Sequence, residues 1–297
     1  MGAAWALSAC GSAGSDSAGT AAGGDTTQVI ASIYPLELAA ERIGGDSVTV
    51  RNLTPPGVEP HDLELAPRDF QQLRSADLLL FIGEGFQPAL EGAAEGADGI
   101  VLDVLTAPGL ELQHLDTNAG GRGDEESRSG AAIDPHVWLD PLAFGAIAAE
   151  IGRKLGDEGD AADFQAELAE LEAEFRSGLA DCRRDEVVTS HAAFGYLTER
   201  YGLRQVSIAG LSPEDEPTPR DLERVIETVR DTGAKVVFFE TLASPKLAET
   251  VARETGARTA VLNPIEGLTE DERDAGDDYF SIMRTNLRAL RDGLECQ

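Results

Sequence analysis

Four histidines occur in 297 residues, and three of them fall where regular elements give way to loops. His61 lies in GVEPHDLEL, after a β-rich run at 48–53 and before a helical run from Pro67. His191 lies in TSHAAFGYL, at the end of the strand-like EVVTSH. His136 lies in DPHVWLDP, where a helix begins. Glu266, in LNPIEGL, follows the β-rich run RTAVL. Taken singly, each histidine reads as a structural or surface residue; their shared placement changes the reading. Imidazole is the commonest nitrogen ligand for borderline cations, and three imidazoles with one carboxylate make a tetrahedral set that suits Zn²⁺. Four protein ligands leave no position open for a reacting water, which marks a holding site rather than a catalytic one. Each imidazole must be neutral to bind, so affinity is expected to fall below about pH 6. Cu²⁺ binds N/O sets more tightly than Zn²⁺, so geometry and availability must supply selectivity. Asp134, Asp140 and Glu240 are the carboxylates available to orient the imidazoles.

The elements that must position these residues alternate. QVIASIY, VTVRNL, DLLLFIG and GIVLDV are β-rich and separated by helical stretches; EVVTSH, QVSIAG, KVVFFE and RTAVLN repeat the pattern later in the chain. Short apolar strands between helices imply parallel sheets covered on both faces. In such sheets ligands bind beyond the carboxyl ends of the strands, where His61 and His191 fall. Asp140-Pro141 marks one helix start, and Thr218-Pro219 and Ser244-Pro245 mark two more. Between the halves, Phe164, Leu168, Leu171, Phe175 and Leu179 recur at three- and four-residue steps, the pattern of a long amphipathic helix of roughly 35 Å. The expected fold is α/β: two lobes, each a parallel sheet flanked by helices, joined by one long rigid helix. The expected bounds are 1–27 for a signal and tether, 28–158 for the first lobe, 159–183 for the linking helix and 184–297 for the second lobe. Residues 112–133 are polar, Gly-rich and charged; they hold His114 and read as a mobile loop or a solvated linker.

A formal charge of −30, from 54 acidic and 24 basic residues, excludes nucleic acid as a partner, because no basic surface remains to neutralise phosphates. No run of eighteen apolar residues occurs, so no membrane-spanning helix is expected. Leu7-Ser8-Ala9-Cys10 resembles a bacterial lipobox, in which Cys10 would be acylated, although no positively charged stretch precedes it. The Gly/Ser/Ala tract that follows would serve as a tether with a reach of roughly 20–25 Å. Cys182 and Cys296 remain. In an exported protein they can form one internal bridge, or they can stand as two separate thiols.

The stretches IYPLELAAERIGGD, PPGVEPHDLELAP, DPHVWLDP, SHAAFGYL, FFETLASPKLAETVARETG and LNPIEGL together resemble the zinc/manganese class, cluster A-I, of substrate-binding proteins of bacterial ABC transporters. The resemblance runs over nearly the whole body of the chain. It implies metal-ligand roles for His61, His136, His191 and Glu266, Zn²⁺ as the carried ligand, an ABC permease as partner, and a monomer anchored by lipid at the outer face of the cell membrane. A histidine at 191 is similar to the zinc-binding members; manganese members carry a carboxylate there. Residues 112–133 match the family's charged, His-rich loop but hold one histidine. Adhesion, a role suggested for lipoproteins of this type, would coexist with metal binding. The alternatives are a carrier of Mn²⁺ or another divalent metal, and a metal-dependent hydrolase. A hydrolase would need an open metal position and a nearby base, and the chain has neither an HExxH nor an HxH pattern.

Overall fold

The computed structural model describes residues 1–2, 26–115 and 132–297. Cys10 with its lipobox, and most of the charged segment 112–133, lie outside the described residues. The first lobe holds four parallel strands, β1 (Thr27–Ala31), β2 (Val48–Asn52), β3 (Leu78–Phe81) and β4 (Ile100–Asp103), in the order β2-β1-β3-β4. Helices α1 (Tyr34–Gly44), α2 (Pro67–Ser75) and α3 (Pro88–Ala94) follow β1, β2 and β3. A parallel pair needs such a crossover, because the chain must return to the same end of the sheet before the next strand. A short antiparallel pair, β5 (His114–Leu115) with β6 (Ala132–Ile133), flanks residues 116–131.

Two long helices come next. In α4 (Pro141–Leu155), Asp140 accepts from Leu142 N at 2.9 Å, and the helix ends at Gly156, whose φ of 76° lies in the left-handed region that glycine enters without strain. In α5 (Glu158–Gly178), Phe164, Leu168, Leu171 and Phe175 form the buried stripe. At 21 residues α5 is about 31 Å long. It ends at Gly178, short of the expected bound at 183. The chain then bends through 179–185, where Cys182 and Cys296 are joined as a disulfide.

The second lobe repeats the architecture. Strands β7 (Glu186–Thr189), β8 (Arg204–Ser207), β9 (Val236–Phe239) and β10 (Arg258–Val261) run parallel in the order β10-β9-β7-β8. They alternate with α6 (Gly195–Arg200), α7 (Pro219–Thr232) and α8 (Lys246–Thr255), and α9 (Glu270–Ala275) and α10 (Tyr279–Gly293) close the chain. Thr218 caps α7 as expected. At α8 the start falls one residue later than expected: Pro245 occupies the cap position, Ser244 makes no cap bond, and the helix begins at Lys246.

Successive strand residues face opposite sides, and the cores follow that period. Val29, Ala31, Leu78, Leu80, Val187, Val236 and Phe238 point inward to one continuous core that includes α1, α4, α5 and α10. Ile30, Leu79 and Phe81 point outward under α2 and α3; Val188 and Val237 do so under α7 and α8. The central core therefore runs unbroken from one lobe to the other, with Trp138, Phe144, Phe164, Phe175 and Tyr279 among its largest buried side chains. Burying each such side chain contributes roughly 1.5–3 kcal/mol. Among the described residues no helix is long and apolar enough to cross a membrane.

Candidate metal centre

The sheets present their carboxyl ends to one cleft, and four loops meet there. His61 belongs to the loop after β2, in a single 3-10 turn at Pro60–Asp62, where the Glu59 carboxylate accepts from His61 N at 3.2 Å. Gln87 fastens this loop, donating to Pro60 O at 3.1 Å and lying 3.2 Å from Thr54 Oγ1. Phe86 packs on the His61 ring at 4.4 Å between centroids. His136 stands just after β6. Asp134 Oδ1 accepts from its backbone N at 2.9 Å and lies 2.7 Å from its Nδ1. His191 follows β7, with Nδ1 2.8 Å from Glu240 Oε1, which also accepts from Ser190 Oγ at 2.7 Å. A carboxylate only accepts, so both imidazoles carry a proton on Nδ1 and turn Nε2 into the cleft.

Glu266 comes from the turn after β10, and that turn is tightly specified. Asn263 N donates to Asn286 Oδ1 at 2.9 Å, Asn286 Nδ2 donates to Asn263 O at 2.7 Å, and Asn263 Oδ1 accepts from Ile265 N at 2.8 Å. Ile265 has a φ of 58°, a conformation a β-branched residue rarely adopts. This network holds it there and aims Glu266 inward.

The donor atoms of His61, His136, His191 and Glu266 all lie within 4.8 Å of one another. Glu266 Oε1 is 3.3 Å from His136 Nε2, 3.4 Å from His191 Nε2 and 3.8 Å from His61 Nε2. A tetrahedral cation with bonds of about 2.0–2.1 Å separates its ligands by roughly 3.3 Å. His136, His191 and Glu266 are at most 1% exposed, and the three Nε2 atoms and both Glu266 oxygens are buried without a hydrogen-bond partner. Buried polar atoms are normally satisfied, so five unsatisfied acceptor-type atoms around one point fit a cation.

The chain matches the family described as zinc-uptake complex component A, periplasmic (ZnuA), over residues 29–293. It belongs to that family. The high-affinity zinc uptake system protein ZnuA of Bacillus subtilis (strain 168) is 35% identical over 290 residues, covering 91% of this chain and 88% of that protein. The zinc-binding lipoprotein AdcA of Streptococcus pneumoniae (strain ATCC BAA-255 / R6) is 32% identical over 279 residues, and the match spans 55% of its length. The Zn(II)-bound ZnuA-like domain of S. pneumoniae AdcA superposes with a TM-score of 0.73 at 29% identity, covering 91% of this chain and 99% of that one. The laminin binding protein Lmb of Streptococcus agalactiae, described as bifunctional with adhesin and metal transporting activity, gives a TM-score of 0.78 at 27% identity, with 91% and 99% covered.

In this ZnuA-family chain the group's electrostatics follow from burial against charge. Burial opposes a charge on His191, but Glu240 and Glu266 outweigh it and lift its pKa to about 10. At His136 burial is likewise overcome by Asp134 and Glu266, and the pKa rises. Burial pushes Glu266 up, yet its contacts with His136, His191 and His61 hold it well below the usual carboxylate range. The same carboxylates favour the protonated rings, a direction that moves the expected onset of proton competition upward from about pH 6. Glu59 was not legible as a site residue. It lies beside Glu240 and Glu266, and burial together with the Glu266 charge pushes it up to about 9. Of the three carboxylates considered as orienting partners, Asp134 and Glu240 hold imidazoles. Asp140 does not; it caps α4 and pairs with Arg200. His114 is exposed on β5 and outside the group. Trp138 is buried, with Nε1 donating to Pro264 O at 2.8 Å, and packs against the His136 ring.

Proposed function

We propose that this chain captures Zn²⁺ in the extracytoplasmic space, holds it between the lobes through His61, His136, His191 and Glu266, and passes it unchanged to an ABC-type permease. The observation that carries the reading is the convergence of three partnerless Nε2 atoms and the Glu266 carboxylate at tetrahedral spacing. A full set of four protein ligands suits retention and leaves no position for an activated water, so no reaction is assigned to the site. Acylation of Cys10 would tether the carrier beside its permease, and the acidic surface suits a soluble body working next to a membrane. Three nitrogens with one oxygen favour Zn²⁺ over the harder Mn²⁺, which prefers oxygen-rich sets.

Chelator-competition titration of the purified protein tests this. One zinc per chain is expected. His61→Ala, His136→Ala and His191→Ala should each weaken binding by at least about 100-fold. Glu266→Ala should cost less, because water can replace one carboxylate oxygen. Near-normal affinity in two of the histidine variants would overturn the assignment.

A further inference from the structure

The segment that carries His191 also reaches the residue that orients His136. Tyr196 lies in the first turn of α6, five residues after His191, and is buried. Its hydroxyl accepts from Gln113 N at 2.9 Å and donates to Asp134 O at 3.1 Å. Asp134 N donates to Gln113 O at 2.9 Å, so both backbone groups of Asp134 are engaged. The side chain of Asp134 then holds His136 at N and at Nδ1. A phenol from the second lobe thus closes a hydrogen-bonded ring around the residue that orients an imidazole of the first. Gly195 permits the approach: a Cβ there would sit 2.5 Å from Asp134 Oδ2 and 3.2 Å from Gln113 Oε1. Burial raises the Tyr196 pKa to about 12, which keeps the phenol a donor at neutral pH.

We propose that Tyr196 is a positioning residue for the metal site, fixing Asp134 from across the cleft so that the lobe seam and the orientation of His136 form one hydrogen-bonded unit. The inference rests on reading the four-ligand group as a zinc site. Its physical basis is the short reach of metal bonds. Nε2 must meet the cation at about 2 Å, so a small shift of Asp134 rotates the ring out of line. The Tyr196 bonds join the segment after β7 to the residue that orients His136. Their loss is expected to appear mainly as faster release of the cation.

The experiment compares wild type, Tyr196→Phe, Asp134→Asn and the double variant, using zinc alone. Equilibrium affinity comes from chelator competition, release rates from stopped-flow chelation, and ligand geometry from the visible absorption of the Co²⁺-loaded proteins. Tyr196→Phe should weaken zinc binding about 10-fold, at the lower end for a group that acts through a ligand's partner. The loss should lie in the release rate, with altered Co²⁺ bands. In the Asp134→Asn background the same substitution should change affinity less than about twofold, because the pathway is already cut. Gly195→Ala should reproduce the weakening without touching the hydroxyl. Wild-type affinity and spectrum in Tyr196→Phe would overturn the inference while leaving the zinc site standing. So would an undiminished 10-fold loss in the Asp134→Asn background, which would mean that Tyr196 acts elsewhere. Absence of zinc binding by the wild type would overturn both readings.

Discussion

In the proposed site, protons and zinc would compete for the same nitrogens. The carboxylates behind and beside them outweigh burial and raise the pKa of His136 and of His191, the latter to about 10. Zinc bound at these nitrogens would compete with protons, so binding at pH 7 should release protons and apparent affinity should climb as pH rises above 6.5. Calorimetry in buffers of different ionisation enthalpy reads the proton count directly; zero net release at pH 7 would contradict the account. The same shifts fix the sign for chelator-treated protein. A raised histidine pKa contributes stability that is fully present below the ordinary value of 6.5 and is lost as pH climbs through the folded value, about 10 for His191. His61, His136 and His191 were legible because histidine is scarce here and strand ends are recognisable. Glu59, Gln87 and Tyr196 were not, because glutamate and tyrosine have many surface and core uses and nothing in their spacing separates a buried partner from an ordinary one.

At the scale of elements, the site depends on turns whose geometry is set from outside the cleft. The Glu266 turn is braced by Asn286 on α10, which satisfies both backbone groups of Asn263. Asn286→Ala would leave a buried N–H and C=O unpaired, at a cost of about 1–3 kcal/mol in unfolding free energy. It should also weaken zinc binding, because Ile265 would no longer be held at positive φ and Glu266 would lose its aim. Denaturant melts with parallel zinc titrations check both; unchanged zinc affinity alongside lost stability would separate the brace from the site. The ends of α4 and α7 were readable from Asp140-Pro141, Gly156 and Thr218-Pro219, since cap chemistry is local. The end of α5 was not: its apolar repeat continues through Leu179, which is the C-cap, while Gly178 packs closely against Leu287 and Arg291 on α10, a tertiary contact that spacing does not show. The α8 start shows the same limit at single-residue scale, where cap signals locate a terminus only to within a residue or two.

The whole molecule is built to keep two lobes in register. One apolar core passes through α4, α5 and α10 from sheet to sheet, so the lobes share a packed interior rather than a flexible hinge. The Cys182–Cys296 bridge ties the end of the chain to the exit of α5 and encloses most of the second lobe; closing a loop of that length stabilises by about 4–5 kcal/mol in the chain-entropy picture. The two-lobe α/β architecture was legible because buried parallel strands and amphipathic helices alternate in period. The continuity of the core was not, because it depends on which helix faces meet. The central claim is that three imidazoles and one carboxylate, drawn from both lobes, surround a single zinc ion. X-ray absorption at the zinc K-edge, on protein loaded with one equivalent, tests it most directly. The account predicts a four-coordinate ion with three imidazole nitrogens and one oxygen at about 2.0–2.1 Å. A sulfur neighbour near 2.3 Å, or a shell of six oxygens without imidazole scattering, would contradict it.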